Sequence, residues 1–185
     1  MKYKIIVLSI FALAFEAKAL GLDLEPVIGY ERVQKFRPVE QTVDRMIYGL
    51  RILIGVPLIK LEIEGTRGQD TATFTSPELT TKDLSDKVKI GLRSGLRLGR
   101  LLTLSGRGGV QAEQNTHTET AAGVATITKD PVVPKPYAGA GLKVKLNPKI
   151  SLSGDVVAVF KQWPDMDKNE YQTTLGINVA LGTMK

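Results

Sequence analysis

Lys87-Val88-Lys89-Ile90-Gly91-Leu92-Arg93-Ser94-Gly95-Leu96-Arg97-Leu98 changes character at almost every residue. Val88, Ile90, Leu92, Leu96 and Leu98 hold one parity; Lys87, Lys89, Arg93 and Arg97 hold the other. Successive side chains of a strand point to opposite faces, so this stretch reads as a strand with one apolar and one charged face.

The same period of two recurs on both sides of it. Residues 20–31 set Leu22, Leu24, Ile28 and Tyr30 against Asp23, Glu25 and Glu31. Residues 45–55 set Met46, Tyr48, Leu50, Ile52 and Ile54 against Arg51. Residues 58–66 set Ile59, Leu61 and Ile63 against Lys60, Glu62 and Glu64. Four more runs follow at 101–113, 137–146, 150–160 and 171–181, giving eight strands. Gly55-Val56-Pro57, Gly99-Arg100 and Asn147-Pro148-Lys149 are built of turn residues. Longer polar stretches alternate with them, at 32–44, 67–86, 114–135 and 161–170, and read as loops. Core strands of about 9–11 residues match the length that crosses a bilayer at a tilt. The expectation is an all-β, eight-stranded antiparallel up-and-down transmembrane β-barrel, with short turns at one end and long loops at the other.

Alternation by itself also fits a soluble barrel whose apolar face points inward. The distribution of charge favours the opposite sense. Glu25, Arg51, Lys60, Glu62, Glu64, Lys89, Arg93, Arg97, Arg107, Lys143, Lys145 and Asp155 share the polar parity, while the other face is almost free of charge. A charge at a bilayer midplane costs roughly 2–4 kcal/mol, so a lipid-facing surface has to be this clean. These twelve are therefore expected as a charge network in the lumen. Gly91, Gly95, Gly139, Gly141 and Gly176 fall on the same parity, where a narrow interior needs room for long cations. Tyr30, Tyr48, Phe160 and Tyr171 lie on the apolar parity beside the long polar stretches, as an interfacial ring would.

The N-terminus follows another pattern. Lys2 and Lys4 precede an apolar run from Ile5 to Phe15, and Ala17-Lys18-Ala19 supplies small residues for cleavage. Residues 1–19 read as a secretory signal peptide and 20–185 as the barrel. No other segment offers 18 apolar residues in a row, which removes a helical membrane span. The chain has no cysteine and one histidine, so disulfides, thiolate metal centres and histidine-rich sites are excluded and no metal or cofactor is expected. The net charge of +6 is spread at strand spacing rather than gathered in a patch, against a nucleic-acid partner.

Chemistry-bearing residues are few. His117, flanked by Thr116, Thr118 and Glu119, reads as a solvated loop residue; its catalytic alternative uses Glu119 to orient the ring. Glu62 and Glu64 point the same way on one strand and suit pairing with inward Lys and Arg, not the opposed carboxyls of a glycosidase. Asp165, Asp167 and Glu170 read as a solvated acidic loop without calcium-loop spacing.

Thr174-Leu175-Gly176-Ile177-Asn178-Val179-Ala180-Leu181 carries a polar-x-Gly-x-x-apolar-x-apolar pattern. With it, residues 20–185 resemble the small eight-stranded outer-membrane barrel proteins of Gram-negative bacteria. The resemblance implies short turns in the periplasm, long loops outside the cell, and outer-membrane lipid and lipopolysaccharide as surroundings. It also implies that Gly176, Val179 and Leu181 signal to the barrel-assembly machinery. Three functions follow: a non-enzymatic barrel with a plugged, charged lumen serving envelope integrity or surface binding; a lipid-modifying enzyme resembling a lipid A deacylase and using His117; or a soluble lipocalin-like barrel holding an apolar ligand.

The cleavage site places Leu20 at the mature N-terminus. N-terminal sequencing of the exported protein tests this, and retention of Met1 overturns it.

Overall fold

The structure, a computed structural model, describes residues 20–35, 41–56, 58–75, 78–121, 124–161 and 169–184; the expected signal peptide lies outside them. Among the described residues nine strands form: β1 (Leu20–Lys35), β2 (Gln41–Gly55), β3 (Ile59–Thr75), β4 (Glu78–Leu98), β5 (Leu102–Ala121), β6 (Val124–Lys129), β7 (Val133–Lys145), β8 (Ile150–Val159) and β9 (Glu170–Met184). All pairings are antiparallel. The order β4-β3-β2-β1-β9-β8-β7-β5, with β4 also paired to β5, closes a ring of eight. β6 is no ninth stave. It continues the line of β7 along β5, after a break at 130–132 where Pro131 has no N–H to donate.

The wall has the polarity that the charge distribution implied. Val88, Ile90 and Leu92 are exposed on the outside, while Lys87, Lys89 and Arg93 are buried inside. A soluble lipocalin-like barrel is thereby overturned, because its apolar parity would have to line the interior and here it faces out. The inward apolar side chains are few, among them Val27, Ile47, Leu53 and Val157.

Turns at one end are short. Gly99, at a φ of 76°, occupies the left-handed region in the β4–β5 turn. The Asn147 side-chain oxygen accepts from the backbone N–H groups of Lys149 and Ile150 at 2.8 Å each, an Asx-type turn between β7 and β8.

The other end departs from expectation. The stretches 67–86 and 114–135, read as loops, are largely strand. β3 and β4 stay paired as far as Thr75↔Glu78, and β4 and β5 as far as Leu79↔Ala121. Strands run from 10 to 21 residues within the ring; β8, at 10, matches the 9–11 expected, and the others are longer. Outside hydrocarbon both faces meet water, so apolar alternation stops while backbone hydrogen bonding continues. The threonines at 71, 73, 75, 80, 81, 116, 118 and 120 carried the remaining strand signal.

Leu142 is 44% exposed, whereas the Lys143 ammonium lies inside, 3.7 Å from Asp23. A nitroxide at residue 142 in bilayers is expected to be reached by oxygen and shielded from a water-soluble nickel chelate. A nitroxide at residue 143 should lack the lipid-phase oxygen accessibility. Absence of lipid contact at both positions would refute the placement of the wall.

Candidate functional site: the charged lumen and its outer vestibule

The lumen is filled by ion pairs. At its centre stands Arg51, on β2, with no exposed surface. Its guanidinium binds Glu25 on β1, Glu64 on β3 at 2.6 Å and Asp155 on β8 at 2.7 Å. It also donates to the Thr174 hydroxyl on β9 at 3.3 Å. Lys89 reaches Glu64 at 2.5 Å; Arg107 binds Glu62 and, at 2.8 Å, Glu64; Arg93 binds Asp155. Four carboxylates thus meet four cations: Glu25, Glu62, Glu64 and Asp155 against Arg51, Lys89, Arg93 and Arg107. Ser153 and Asn178 supply further donors to Glu25, at 2.7 and 3.1 Å. Buried ions need this density of bonding to offset their desolvation.

Local sequence makes the space. A Cβ on Gly176 would lie 2.8 Å from the Ser153 hydroxyl and 2.9 Å from Glu25 Cγ, so the glycine leaves the Glu25 carboxylate its place. Gly91 does the same for Tyr137, whose hydroxyl an added Cβ would strike along with the Gly108 carbonyl. Tyr137 is buried in the lumen, donates to Glu62 at 3.1 Å, and has Arg107 5.5 Å from its ring centre.

Ten of the twelve charges singled out in the sequence reach this interior. Lys60 and Lys143 sit toward the short-turn end around Asp23, Lys60 at 2.6 Å. Arg97 and Lys145 do not belong: both lie beside the short turns, where residues of both parities are exposed. Tyr30, Tyr48 and Tyr171 are exposed on the outer wall at 65%, 54% and 39%, and Phe160 is half-buried just after β8. Gly176 faces the lumen, and Leu181 is exposed on the outside of β9.

A second cluster, nearer the long-hairpin end, was legible only in part: Glu31, Lys87 and Glu113 lie on the polar parity, whereas Arg45, Lys161 and Glu170 were not read as inward. Glu31, Glu113 and Glu170 meet Arg45, Lys87 and Lys161. Glu170, expected in a solvated loop, is instead 1% exposed and bound to Lys87 and, at 2.9 Å, to Lys161. Its parity with Gln172 and Thr174, both inward on the same strand, was the available signal. Asp165 and Asp167 lie outside the described residues.

Above this cluster opens a vestibule of about 510 Å³. His117 stands in its wall on β5, not in a loop. Nδ1 faces Asp83 across the β4–β5 pairing, and Nε2 lies 2.9 Å from Glu119. Burial pushes the pKa of the ring down, and the hydrogen bonds and charges of Asp83 and Glu119 more than reverse this, so the net shift is upward. The folded value therefore exceeds the unfolded one. The contribution of this clamp to stability is complete below the unfolded pKa and is lost as pH rises through the folded value. The carboxylates occupy opposite ring nitrogens and cannot close on one metal ion together with the ring; the described residues contain no metal-binding group of three.

A closed sheet with charges inside, an apolar wall outside and extended hairpins at one end defines the fold of an integral outer-membrane β-barrel. Known structures agree. The Yersinia pestis attachment invasion locus protein Ail, solved with the heparin analogue sucrose octasulfate, is similar at a TM-score of 0.59 and 11% identity, over 88% of this chain and 98% of that one. Neisserial surface protein A follows at 0.57 and 7%, over 85% and 96%. CarO of Acinetobacter baumannii gives 0.50 and 13%, over 88% and 97%. No protein-family model and no curated protein matches the chain.

Arg51→Leu would take away the cation shared by Glu25, Glu64 and Asp155 in the lumen, and is expected to cost about 3–5 kcal/mol. The urea midpoint of the heat-modifiable folded form measures this. Arg32→Leu, which among the described residues breaks the exposed pair with Asp44, should leave that midpoint in place.

Proposed function

We propose that the protein is a non-enzymatic outer-membrane barrel, exported by residues 1–19, that presents its protruding hairpins as a binding surface on the outside of the cell. The observation that carries this reading is the lumen filled with paired charge, which leaves surface recognition as the use of so much structure beyond the membrane. The hairpins keep edges for it: among the described residues, β6 pairs only with β5, and β3 beyond Gly68 pairs only with β4. Val124 and Ile127 on β6 are exposed at 69% and 64%. Such edges accept extended segments of other chains.

Against catalysis stands the state of the candidate groups. Both nitrogens of His117 are already engaged by carboxylates, and the inward hydroxyls of Ser85, Ser105 and Ser153 donate to Glu113, the Gly141 carbonyl and Glu25. None of these serines forms a base–nucleophile pair with His117. Lipopolysaccharide around the wall, and assembly machinery recognising Gly176, Val179 and Leu181 on the closing strand, complete the proposed setting. The sulfated ligand of Ail belongs to Ail; the outer ends of these strands mix both signs of charge and do not copy a polyanion site.

The purified barrel in planar bilayers should show no regular conductance steps at either polarity. Discrete, reproducible steps would replace the plugged-barrel reading by a pore.

A further inference from the structure

The vestibule has a sealed floor and an unfinished wall. Arg45, Glu113 and Lys161 close it below, bound into the upper ion cluster. Val33 and Gln34 of β1 stand on one side. On the other, the β5–β6 hairpin contributes Asn115, Thr126 and Thr128, with Asp130 just beyond. The pairing His117↔Thr128 and Glu119↔Thr126 sets these hydroxyls on the inner face, while Ile127 takes the outer one.

The polar groups of this wall are not used by the fold. Among the described residues, the side chains of Asn115, Thr126, Thr128 and Asp130 make no hydrogen bond or ion pair. Asp130 engages through its backbone N–H alone, to the Asn115 carbonyl at 2.9 Å. Gln34 Oε1 is buried with no partner. A buried acceptor without a partner is rare in a folded protein, and here it belongs to a residue that lines the same cavity as four other unengaged groups. The volume falls within the range of small-molecule sites.

The set is chemically specific. Gln34 Oε1 and Asp130 accept, the Asn115 amide both donates and accepts, and the two threonine hydroxyls do both. Mixed donors and acceptors suit a ligand whose own groups are hydroxyls. Charge then selects among such ligands. Among the described residues of the lining, the carboxylates Asp83, Glu113, Glu119 and Asp130 outnumber the cations Arg45, His117 and Lys161, and Arg45 and Lys161 are already paired in the floor. A sulfated or carboxylated sugar is repelled, and an amine is attracted.

We propose that the vestibule is a saccharide-binding site for an amino sugar. Its hydroxyls meet Gln34, Asn115, Thr126 and Thr128, and its ammonium meets Asp130. This deepens the surface-binding reading and rests on it.

The test uses the full barrel refolded in detergent micelles, titrated with a glucosamine trisaccharide, its fully N-acetylated form and spermidine, with binding followed by calorimetry. Saturable binding of the glucosamine trisaccharide is expected, tighter than that of the acetylated form. The double variant Thr126→Val, Thr128→Val should weaken it roughly three- to tenfold, the loss of one to two hydrogen bonds. Asp130→Asn should abolish the preference over the acetylated sugar. Heat-modifiable gel mobility shows that each variant is folded. No saturable binding of the trisaccharide overturns the proposal; so does binding indifferent to the threonine pair, or spermidine binding as tightly, which marks a mere cation trap. Conductance steps would refute the plugged barrel, whereas a silent lumen with no sugar binding refutes only this site.

Discussion

A guanidinium with no exposed surface, tied to carboxylates from three other strands, is what the rest of this molecule accommodates. Arg51 cannot shed its proton, so its charge must be answered where it stands. Glu25, Glu64 and Asp155 answer it, and those carboxylates require Lys89, Arg93 and Arg107 in turn. The small inward residues follow from the same demand: Gly176 admits Glu25, and a Cβ on Gly141 would collide with Asp155. With polarity concentrated inside, the outer face of every stave is free to be apolar. Lumen chemistry and membrane compatibility are one constraint seen from two sides.

The same logic explains why the hairpins can be long. Within hydrocarbon a strand needs an apolar outer parity; above it, pairing alone keeps the sheet together. β3, β4 and β5 therefore continue as ladders of threonine and charge past the tyrosine level. The outer wall there carries bidentate pairs, Arg32 with Asp44 and Arg67 with Asp86, where the lower wall carries Leu and Ile. The vestibule is a by-product of this extension: β6 follows the line of β7 beyond the Pro131 break and leaves its threonines facing inward.

How much of this could be read from the residues alone depended on where hydrocarbon enforces a pattern. Lys87 to Leu98 declares a strand and its sidedness, because lipid allows no charge on one parity. The ring, its antiparallel order and the membership of Glu62, Glu64 and Arg107 in the lumen were legible for that reason. Where water bathes both faces the pattern dissolves, so 67–86 and 114–135 read as loops though they are strands. Glu170 was lost because it neighbours an acidic stretch, and only its parity with Gln172 marks it as inward. Arg97 and Lys145 show the converse error: they share the parity of the lumen charges but lie beside the short turns, where residues of both parities are exposed. Tyr137 carries no sequence mark of its inward side beyond position. Pairing partners from distant strands, such as Arg51 with Asp155, are invisible to any local pattern.

The closure of the ring has a consequence for the order in which this chain can be built. Arg51 and Asp155 are 104 residues apart, Ser153 and Glu25 128, and the seam itself joins β1 to β9. Hairpins between neighbouring strands can form early because their loops are short; the seam must wait for the last strand. Until then the charged parity lies along the concave side of an open sheet and keeps its water. Desolvation of the ions is thereby deferred to the final event, in which the last carboxylates and cations are brought together as the seam zips. The costliest act of assembly coincides with the one that completes its compensation, so a half-closed intermediate never has to hold a dry, unanswered charge.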